Sequence, residues 1–503
     1  MLNLFLSVCS AILLFSSFPK ADLGFLAWFA LVPWLFAIQK QKPARAFLIS
    51  YLVGLIFFLN VVSWVTYVSN LGFTILVLYL ALYFAVFGLF FSINYRPSTI
   101  NNLLVIPAGW VGLEYIRSHL FTGFSWSLLG YSQYKFLPVI QLSDITGAYG
   151  VSFLVVLVNV GLWQLIKALK FREQKSLPSV LCLLFSVILV LSYGYFKLDQ
   201  SAAGPSIKVA TIQGNIPQQQ KWDPQFRDDI LKSYLQLTEE AARSHPDIII
   251  WPETSVPGFL VNDPQLLEQF TRLSKQVYPA YLLLGTPYEA ESGKIYNSAM
   301  LFFQGRIIQR YDKVHLVPFG EFTPGAQFFS RFSFASLIGN FSPGEDYTIF
   351  HLADRELKFS TLICFEDSFG DLARIFVRQG AQILVNLTND AWFGASAEPY
   401  QHLQASVFRA VENRVNLVRS ANTGVSCFIN PWGKISHRVS DDLGRDILVK
   451  GYAVKDVKII PIPSFYTSYG DIFAWACLTV SAFAFVGKKT SSAQRAVFLP
   501  IIL

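Results

Sequence analysis

Three residues that lie far apart in the chain carry the groups needed for nucleophilic acyl chemistry. Cys364 offers a thiol that can attack a carbonyl carbon, and Glu253 offers a carboxylate that can take the thiol proton. Lys313 offers an ammonium that can stabilise the resulting oxyanion. Each residue alone has an ordinary structural explanation, but the ordered set of a strand-end acid, a loop lysine and a strand-end thiol favours one reactive site.

Cys364 ends the apolar run LKFSTLIC at 357–364, which is typical of a buried strand, and a helix is predicted from about Ser368 to Gln379. A thiol in such a strand-to-helix turn faces the positive end of the helix, so we expect its pKa to be lowered. The alternative is a small apolar residue that completes a buried strand. Cys427, in GVSCFINPWG, has no acidic neighbour and no such turn, so we interpret it as structural.

Glu253 and Lys313 are the candidate proton acceptor and cation. Glu253 leaves the predicted strand DIIIW through Pro252, which cannot donate to a strand ladder, so its carboxylate is expected at a strand end. Lys313 lies in YDKVHLVPFGE, where Pro and Gly argue against a helix. Either residue could instead be an ordinary exposed charge. His315 is a rival base for the thiol, although Glu253 offers a base from a better-placed strand end.

The elements that position these residues alternate between strand and helix. Short β-rich runs are separated by amphipathic or polar stretches, which favours an α/β layered fold with reactive groups at the carboxyl ends of strands. The predicted strands include 207–213, 247–251, 281–285, 357–364 and 382–387, and the predicted helices include 224–244 and 264–277.

The composition places this layered block in a membrane protein. Of the 503 residues, 53% are hydrophobic and 15% are charged, which is too apolar for a purely soluble chain. About eight apolar stretches approach the length needed to cross about 30 Å of hydrocarbon. They lie near 2–18, 23–38, 46–68, 71–94, 102–119, 146–166, 177–196 and 472–487. The first has no basic residue before its apolar run, so we interpret it as a span and not as a signal peptide.

The excess of basic residues lies outside the layered block. The net charge is +7, but residues 200–470 contain 25 Lys and Arg against 27 Asp and Glu, whereas the rest of the chain contains 15 against 6. Basic residues on membrane-flanking loops are a topology signal, so we exclude a nucleic-acid partner. Eleven of them fall on one side of an alternating eight-span path, which predicts that both termini are cytoplasmic. The layered block then faces the periplasm of a bacterium with two membranes.

The cysteines give no sign of a disulfide framework or of a metal site. They stand at 9, 182, 364, 427 and 477, three of them in long apolar runs, and no CxxC pattern occurs. We therefore expect no metal and no other cofactor.

Short strings around the candidate residues resemble known families. WPE at 251–253, YDKVHL at 311–316 and ICFED at 363–367 are similar to the Glu-Lys-Cys signature of the nitrilase, or carbon–nitrogen hydrolase, superfamily, which implies a four-layer αββα sandwich. Longer strings resemble the apolipoprotein N-acyltransferase family. They are QGNIPQQQKW at 213–222, WPETSVPG at 251–258, KVHLVPFGEFTP at 313–324 and NDAWFG at 389–394. Eight spans with the domain before the last one match that family as well.

The resemblance implies a role for each candidate. Cys364 is the implied nucleophile, Glu253 the proton acceptor and Lys313 the group that stabilises the tetrahedral intermediate. Glu321 corresponds to an acid that orients the lysine, and Glu366 to a carboxylate beside the nucleophile. The alternatives are a turn residue for Glu321 and a favourable charge near a helix start for Glu366.

Aromatic residues are expected to serve the lipid substrate. Trp222 and Trp392 match aromatic positions of the family and are implied to line the acyl path, although either could be a core or interface residue. The segment 325–340, GAQFFSRFSFASLIGN, is expected either to dip into the bilayer or to form a buried helical hairpin. Phe365 departs from the family pattern, in which tyrosine is common, so one hydroxyl hydrogen bond is missing here.

The implied activity moves a fatty acyl chain from a phospholipid, through a Cys364 thioester, to the N-terminal amine of diacylglyceryl-cysteine in apolipoproteins. The implied setting is a bacterial inner membrane. We expect a seven-span part at 1–199, a nitrilase-like catalytic part at 200–465, and a last span with a cytoplasmic tail at 466–503. The alternatives are a membrane-tethered amidase that uses water and a catalytically dead lipid-binding scaffold. Few ionisable residues lie at mid-membrane, which argues against a transporter.

Overall fold

The computed structural model describes residues 1–95, 101–171, 177–200, 204–322, 341–459 and 464–497. The chain divides into two compact units. One comprises Met1–Asp199 with Tyr469–Leu503, and the other comprises Gln200–Ser468. The apolar segment 325–340 lies outside the described residues, so the two expectations for it stay predictions.

The first unit is helical. Its first nine α-helices are α1 (Leu2–Ser16), α2 (Val32–Ile38), α3 (Pro43–Val61), α4 (Asn70–Asn94), α5 (Asn101–His119), α6 (Leu137–Ile140), α7 (Ser143–Thr146), α8 (Ala148–Phe171) and α9 (Leu177–Leu198), with 3₁₀ helices at Gly24–Trp28, Ser63–Tyr67 and Leu129–Gln133. Ser69 caps α4 by accepting a hydrogen bond from the Gly72 amide at 3.0 Å.

Four helices in the described part of the chain are long and apolar enough to cross a membrane: Pro43–Val61, Asn70–Asn94, Ala148–Lys170 and Pro178–Leu198. Shorter apolar helices lie at Leu2–Ser16, Gly24–Ile38 and Ile472–Phe485. The helix α5 also matches a predicted span, but it contains Pro107 and the buried Glu114 and Arg117 and is not among the four. The apolar helices are typical of a membrane domain, and the eight-span count stays a prediction.

The second unit contains two six-stranded sheets, with the orders β12-β1-β2-β3-β4-β5 and β11-β10-β9-β8-β7-β6. The strands are β1 (Ser206–Gln213), β2 (Ile248–Ile250), β3 (Tyr281–Glu289), β4 (Ile295–Phe303), β5 (Arg306–Asp312), β6 (Phe350–Leu352), β7 (Leu357–Ile363), β8 (Ile383–Thr388), β9 (Asn416–Ala421), β10 (Cys427–Ile429), β11 (Ile435–Ser436) and β12 (Gly451–Lys458). The strands β1, β2 and β3 are parallel, and so are β7, β8 and β9. The other pairings are antiparallel.

The carboxyl ends of the two parallel triplets meet at one edge of the unit. Ser420, near the end of β9, donates from Oγ to the carbonyl oxygens of Ile212 in β1 and Ile250 in β2, at 3.1 and 3.2 Å. Residues that follow β1, β2, β7, β8 and β9 are therefore brought together. This is where an α/β sheet ordinarily presents its reactive groups.

Helices cover the outer face of each sheet. On the first sheet, α10 (Arg227–Ala242) and α11 (Pro264–Gln276) enclose a core with Trp251 at its centre, whose indole stacks on Tyr234 with ring centroids 4.7 Å apart. On the second sheet, α12 (Gly370–Arg378) and α13 (Glu398–Asn413) pack against the central strands. The order helix, sheet, sheet, helix is the αββα sandwich that the resemblance implies. The helices α14 (Phe465–Tyr469) and α15 (Ile472–Val497) follow.

Candidate active site

Each of the three predicted reactive residues follows a strand of the second unit. Glu253 lies three residues beyond β2, Lys313 directly follows β5, and Cys364 directly follows β7. Glu253 is 7% exposed and Lys313 is 1% exposed, whereas Cys364 is partly exposed. Neither charged residue is thus an ordinary surface charge, and each needs a partner.

The ammonium of Lys313 lies between two carboxylates. Its Nζ donates to Oε1 and Oε2 of Glu321 at 2.9 and 2.8 Å, and lies 3.9 Å from Oε1 of Glu253. Asn297, in β4, links the two acids because its Nδ2 donates to Oε1 of Glu253 at 2.7 Å and to Oε1 of Glu321 at 3.0 Å. The Asn297 carbonyl also accepts from the Lys313 amide at 2.8 Å. Asn297 was not predicted as a site residue, although an Asn in the apolar run IYNSAMLFF was a visible signal.

Charge keeps Lys313 protonated despite its burial. Burial alone lowers the pKa of Lys313, but the charges of Glu321, of Cys364 when its thiol is ionised, and of Glu253 outweigh burial and raise that pKa above its usual range. A permanently charged ammonium beside the thiol is suited to hold a developing oxyanion.

The predicted lowering of the Cys364 pKa is wrong. The residue begins a short 3₁₀ helix, Cys364–Ser368, with φ +55°, and the α-helix α12 starts only at Gly370. Burial and then the charge of Glu253 raise the pKa of Cys364 well above its usual value, while Lys313 lowers it. The thiol is thus protonated at neutral pH and needs a base to become a nucleophile. The effect of Glu253 on this pKa shows that the carboxylate and the thiol are coupled electrostatically.

Glu366 fixes the loop that carries Lys313 to the turn that carries Cys364. Its Oε1 accepts from the Val314 and His315 amides at 2.9 and 3.0 Å, and its Oε2 accepts from the Ile363 amide at 2.7 Å. Burial raises the pKa of Glu366 to about 7, against the lowering effect of Lys313 and these hydrogen bonds. Glu366 therefore links two chain segments and, in the first turn of the 3₁₀ helix Cys364–Ser368, also caps the start of that helix.

The imidazole of His315, the rival base, packs in an aromatic group. Its ring centroid lies 3.8 Å from that of Phe369 and 6.4 Å from that of Phe365, and the two phenylalanine rings meet edge to face at 5.1 Å. Phe365 thus lies next to the rings of Phe369 and His315.

The two predicted tryptophans lie outside the core. Trp222 is 50% exposed and Trp392 is 52% exposed, which excludes a buried core position for either one. Their segments are joined because Asn389 donates from Nδ2 to Oε1 of Gln218 at 2.9 Å. In the described part of the chain, neither indole forms a hydrogen bond or ring contact with Glu253, Lys313 or Cys364.

A buried ionic network behind Cys364 was not predicted. The Cys364 carbonyl faces Nδ2 of Asn386 at 3.1 Å and Nε2 of His402 at 3.2 Å. The same His402 nitrogen lies 2.7 Å from Oδ1 of Asp367, whose Oδ2 accepts from Nη1 of Arg419 at 3.0 Å. A residue with positive φ is strained unless its neighbours hold it, so these contacts fix the turn of the nucleophile.

Part of this network has the donor types of a metal site. Ligand atoms of Asp390, Glu398 and His402 lie within 4.8 Å of one another. However, Nδ1 of His402 faces Oδ1 of Asp390 at 3.2 Å, and Nη2 of Arg419 lies 3.6 Å from Oδ2 of the same carboxylate. Because a guanidinium and a protonated imidazole already supply the positive charge, we assign these residues to the ionic network.

We expect His402 to stabilise the fold most at low pH. Burial alone lowers its pKa, but the charge of Asp367 and hydrogen bonds to Asp367 and Asp390 raise it from 6.5 to about 10. A histidine whose pKa is higher in the native state stabilises that state fully below its unfolded pKa. This stabilisation, about 5 kcal/mol, is lost as the pH rises from about 6.5 to about 10.

Melting temperatures of the full chain and of His402→Gln, measured across that pH range, check this prediction. The advantage of the unmodified protein should shrink as the pH rises. A difference that stays constant with pH would contradict a charged His402.

Comparisons with known proteins identify the family. Residues 10–161 match the family model described as the apolipoprotein N-acyltransferase N-terminal domain, and residues 208–450 match the carbon-nitrogen hydrolase model. The apolipoprotein N-acyltransferase of Geobacter metallireducens is 39% identical, over 96% of this chain and 95% of that protein. The chain belongs to the apolipoprotein N-acyltransferase family. The relative from Chlorobaculum tepidum is 30% identical over 95% of both chains.

Family membership confirms the resemblance predicted from the sequence. The protein is an acyltransferase with a nitrilase-like domain and the apolar helices of a membrane protein. Family membership therefore does not favour the alternatives of an amidase or a catalytically dead scaffold. Among solved structures, Saccharomyces cerevisiae Nit3, a nitrilase superfamily member, is 20% identical, with a TM-score of 0.39 over 51% of this chain and 91% of that chain.

Proposed function

We propose that this protein transfers a fatty acyl chain from a phospholipid to the α-amine of the diacylglyceryl-cysteine at the N-terminus of apolipoproteins. Cys364, Glu253 and Lys313 perform the chemistry, in two steps joined by a thioester on Cys364. The observation that carries the proposal is the buried Lys313 ammonium held between Glu321 and Glu253, with both Lys313 and Glu253 coupled by charge to the Cys364 thiol.

The first step forms the thioester. Glu253 takes the thiol proton while the Cys364 sulfur attacks the ester carbonyl of the phospholipid, and the carbonyl oxygen becomes an oxyanion beside Lys313. The intermediate then breaks its carbon–oxygen ester bond. The leaving alkoxide takes the proton from Glu253 and departs as a lysophospholipid, so that the acyl chain stays on sulfur.

The second step forms the amide. The neutral α-amine of the acceptor attacks the thioester carbonyl, Glu253 takes a proton from the nitrogen, and Lys313 again holds the oxyanion. The carbon–sulfur bond breaks, and the thiolate regains its proton from Glu253. Glu321 keeps the lysine in place through both steps. The scheme uses no metal or other cofactor.

The chain arrangement that suits this chemistry is a seven-span part at 1–199, a catalytic part at 200–465 and a last span with its tail at 466–503. Apolar helices that qualify as spans support this arrangement, as does the basic excess of the flanking loops. Eight spans then place both termini in the cytoplasm and the catalytic part in the periplasm, on the outer side of the bacterial inner membrane. Trp222 and Trp392, both half exposed, are proposed to line the path of the acyl chain.

Intact-mass measurement on the full-length protein with a phospholipid tests the proposal. The unmodified protein should gain the mass of one acyl chain, and Cys364→Ser should lose that thioester completely. Cys427→Ala is the matched control, because Cys427 is a buried thiol in β10 and its removal should leave the adduct intact.

The acceptor is tested by adding a diacylated lipopeptide with a free α-amine to the acylated protein. The adduct should discharge onto this lipopeptide and not onto the same lipopeptide with a blocked amine. Discharge at equal rates with either lipopeptide or with none would identify water as the acceptor and overturn the proposal in favour of an amidase or lipase.

A further inference from the structure

Lys221 is a buried lysine next to Glu253, the proposed base. The sequence alone assigns no role to Lys221. It lies in the turn after β1 and is 3% exposed. Its Nζ donates to the Glu253 carbonyl oxygen at 3.0 Å. Among the described residues, Lys221 forms no ion pair within 4.0 Å. A buried ammonium held by one neutral acceptor is costly, so its charge is expected to serve the site.

The loop that carries Lys221 follows β1 of the first sheet and is anchored to the ends of two strands of the second sheet. The Asn215 amide donates to the Asn422 carbonyl at 2.8 Å, and the Ile216 amide donates to Oδ1 of Asn422 at 2.9 Å. Asn389, after β8, donates from Nδ2 to Oε1 of Gln218 at 2.9 Å. The buried position of Lys221 is therefore built into the fold and is not one rotamer of a mobile surface side chain.

The charges that face Lys221 belong to the proposed reactive pair. Burial lowers the pKa of Lys221 to about 7, against the charges of Glu253 and Cys364, which raise it. Lys313 already makes two hydrogen bonds to Glu321, whereas Glu253 lies 3.9 Å from that ammonium. The Lys313 ammonium is thus shared between Glu321 and Glu253. Lys221 is a second cation whose charge acts on the single negative charge that Glu253 and Cys364 share.

We propose that Lys221 is a positioning residue that fixes the Glu253 turn through its carbonyl and adds a second positive charge, besides that of Lys313, which stabilises Glu253 and Cys364 while the thiol proton moves. This inference rests on the roles of Glu253 and Cys364 in the proposed function. The proton moves from sulfur to carboxylate without changing the charge of the pair, so one cation can stabilise the pair throughout. Lys221 supplies this positive charge while it is protonated and loses it as the pH rises through about 7.

Alkylation of Cys364 by iodoacetamide, followed by peptide mass spectrometry on the full-length protein, tests the charge directly because only the thiolate reacts. At about pH 6, Lys221→Met should react about tenfold more slowly than the unmodified protein, which corresponds to about one unit in the thiol pKa. Above about pH 8.5, where Lys221 has lost its proton, the two rates should converge. Lys232→Met is the matched control, because Lys232 is an exposed lysine in α10, and it should follow the unmodified protein throughout.

Lys221→Arg separates charge from position, because arginine stays protonated throughout this pH range. Its rate advantage over Lys221→Met should persist above pH 8.5. A ratio between the unmodified protein and Lys221→Met that stays constant with pH would indicate a purely structural lysine and overturn the charge role. Equal rates at all pH values would overturn it as well. Because alkylation needs no lipid, a normal alkylation profile without any phospholipid adduct would instead contradict the proposed acyl transfer.

Discussion

Glu253→Gln is expected to slow formation of the Cys364 thioester by about 10²- to 10⁴-fold, the range ordinarily supplied by a positioned general base. Glutamine keeps the volume of the side chain, and its oxygen can still accept from Asn297 Nδ2, which lies 2.7 Å from Oε1 of Glu253. The turn should therefore be preserved while the base is lost. The acylation rate is measured as single-turnover growth of the adduct mass with a phospholipid donor.

The same substitution should speed alkylation of the Cys364 thiol, although it slows acylation. Because the charge of Glu253 raises the pKa of Cys364, removing it should make the thiol more acidic, so iodoacetamide should alkylate Cys364 faster at neutral pH. Faster alkylation with slower acylation separates a lost base from a damaged fold. Glu239→Gln changes an exposed acid of α10 and should alter neither rate.

His315→Phe tests the rival base, because it keeps an aromatic ring that can pack on Phe369 and removes both imidazole nitrogens. If Glu253 is the base, this variant should acylate within about fivefold of the unmodified protein, since packing changes of similar volume are well tolerated. Near-normal acylation in Glu253→Gln together with a large loss in His315→Phe would assign the base to His315.

Much of the catalytic unit was predictable because its strands are short, apolar and bounded by turn residues. The predicted strands at 207–213, 281–285 and 357–364 correspond to β1, β3 and β7, and the helix at 264–277 to α11. Reactive groups lie at the carboxyl ends of parallel strands, so a strand-end acid and a strand-end thiol were both expected there. However, β2 and β7 belong to different sheets, and no strand pattern encodes how those sheets meet. Antiparallel strands such as β5 and β12 were not predicted, since their partners are set by tertiary pairing and not by local pattern.

The residues that hold the site were the hardest to predict. Asn297 contacts Glu321 and Glu253, which are 24 and 44 positions away in the chain. His402 contacts Asp367 and Cys364, which are 35 and 38 positions away, and no local pattern encodes such contacts. Lys221 resembles any polar loop residue in QQQKW until burial is known. The Cys364 pKa was mispredicted for a related reason: the helix end was visible in the sequence, whereas desolvation and the charge of Glu253 depend on the folded site.

Lys313→Met is expected to lower both the rate of acylation and the stability of the protein. It removes the cation at the oxyanion, which should slow acylation by about 10²- to 10³-fold. It also leaves Glu321, 2.8 Å from the lost ammonium, and Glu253 as neighbouring carboxylates without their cation. Removing one partner of a buried ion pair ordinarily costs about 3–5 kcal/mol of unfolding free energy, so the melting temperature should fall as well.

A double variant separates these two effects. In Lys313→Met with Glu321→Gln the charge of Glu321 is gone and that of Glu253 stays. The melting temperature should therefore recover in part, whereas acylation should stay as slow as in the single variant. Alkylation of Cys364 should also be slow in both, because Lys313 lowers the thiol pKa; this is the opposite of the result expected for Glu253→Gln. Lys232→Met is again the control. If acylation recovered together with the melting temperature, Lys313 would be a structural partner of Glu321, and the oxyanion would have to be held by another group.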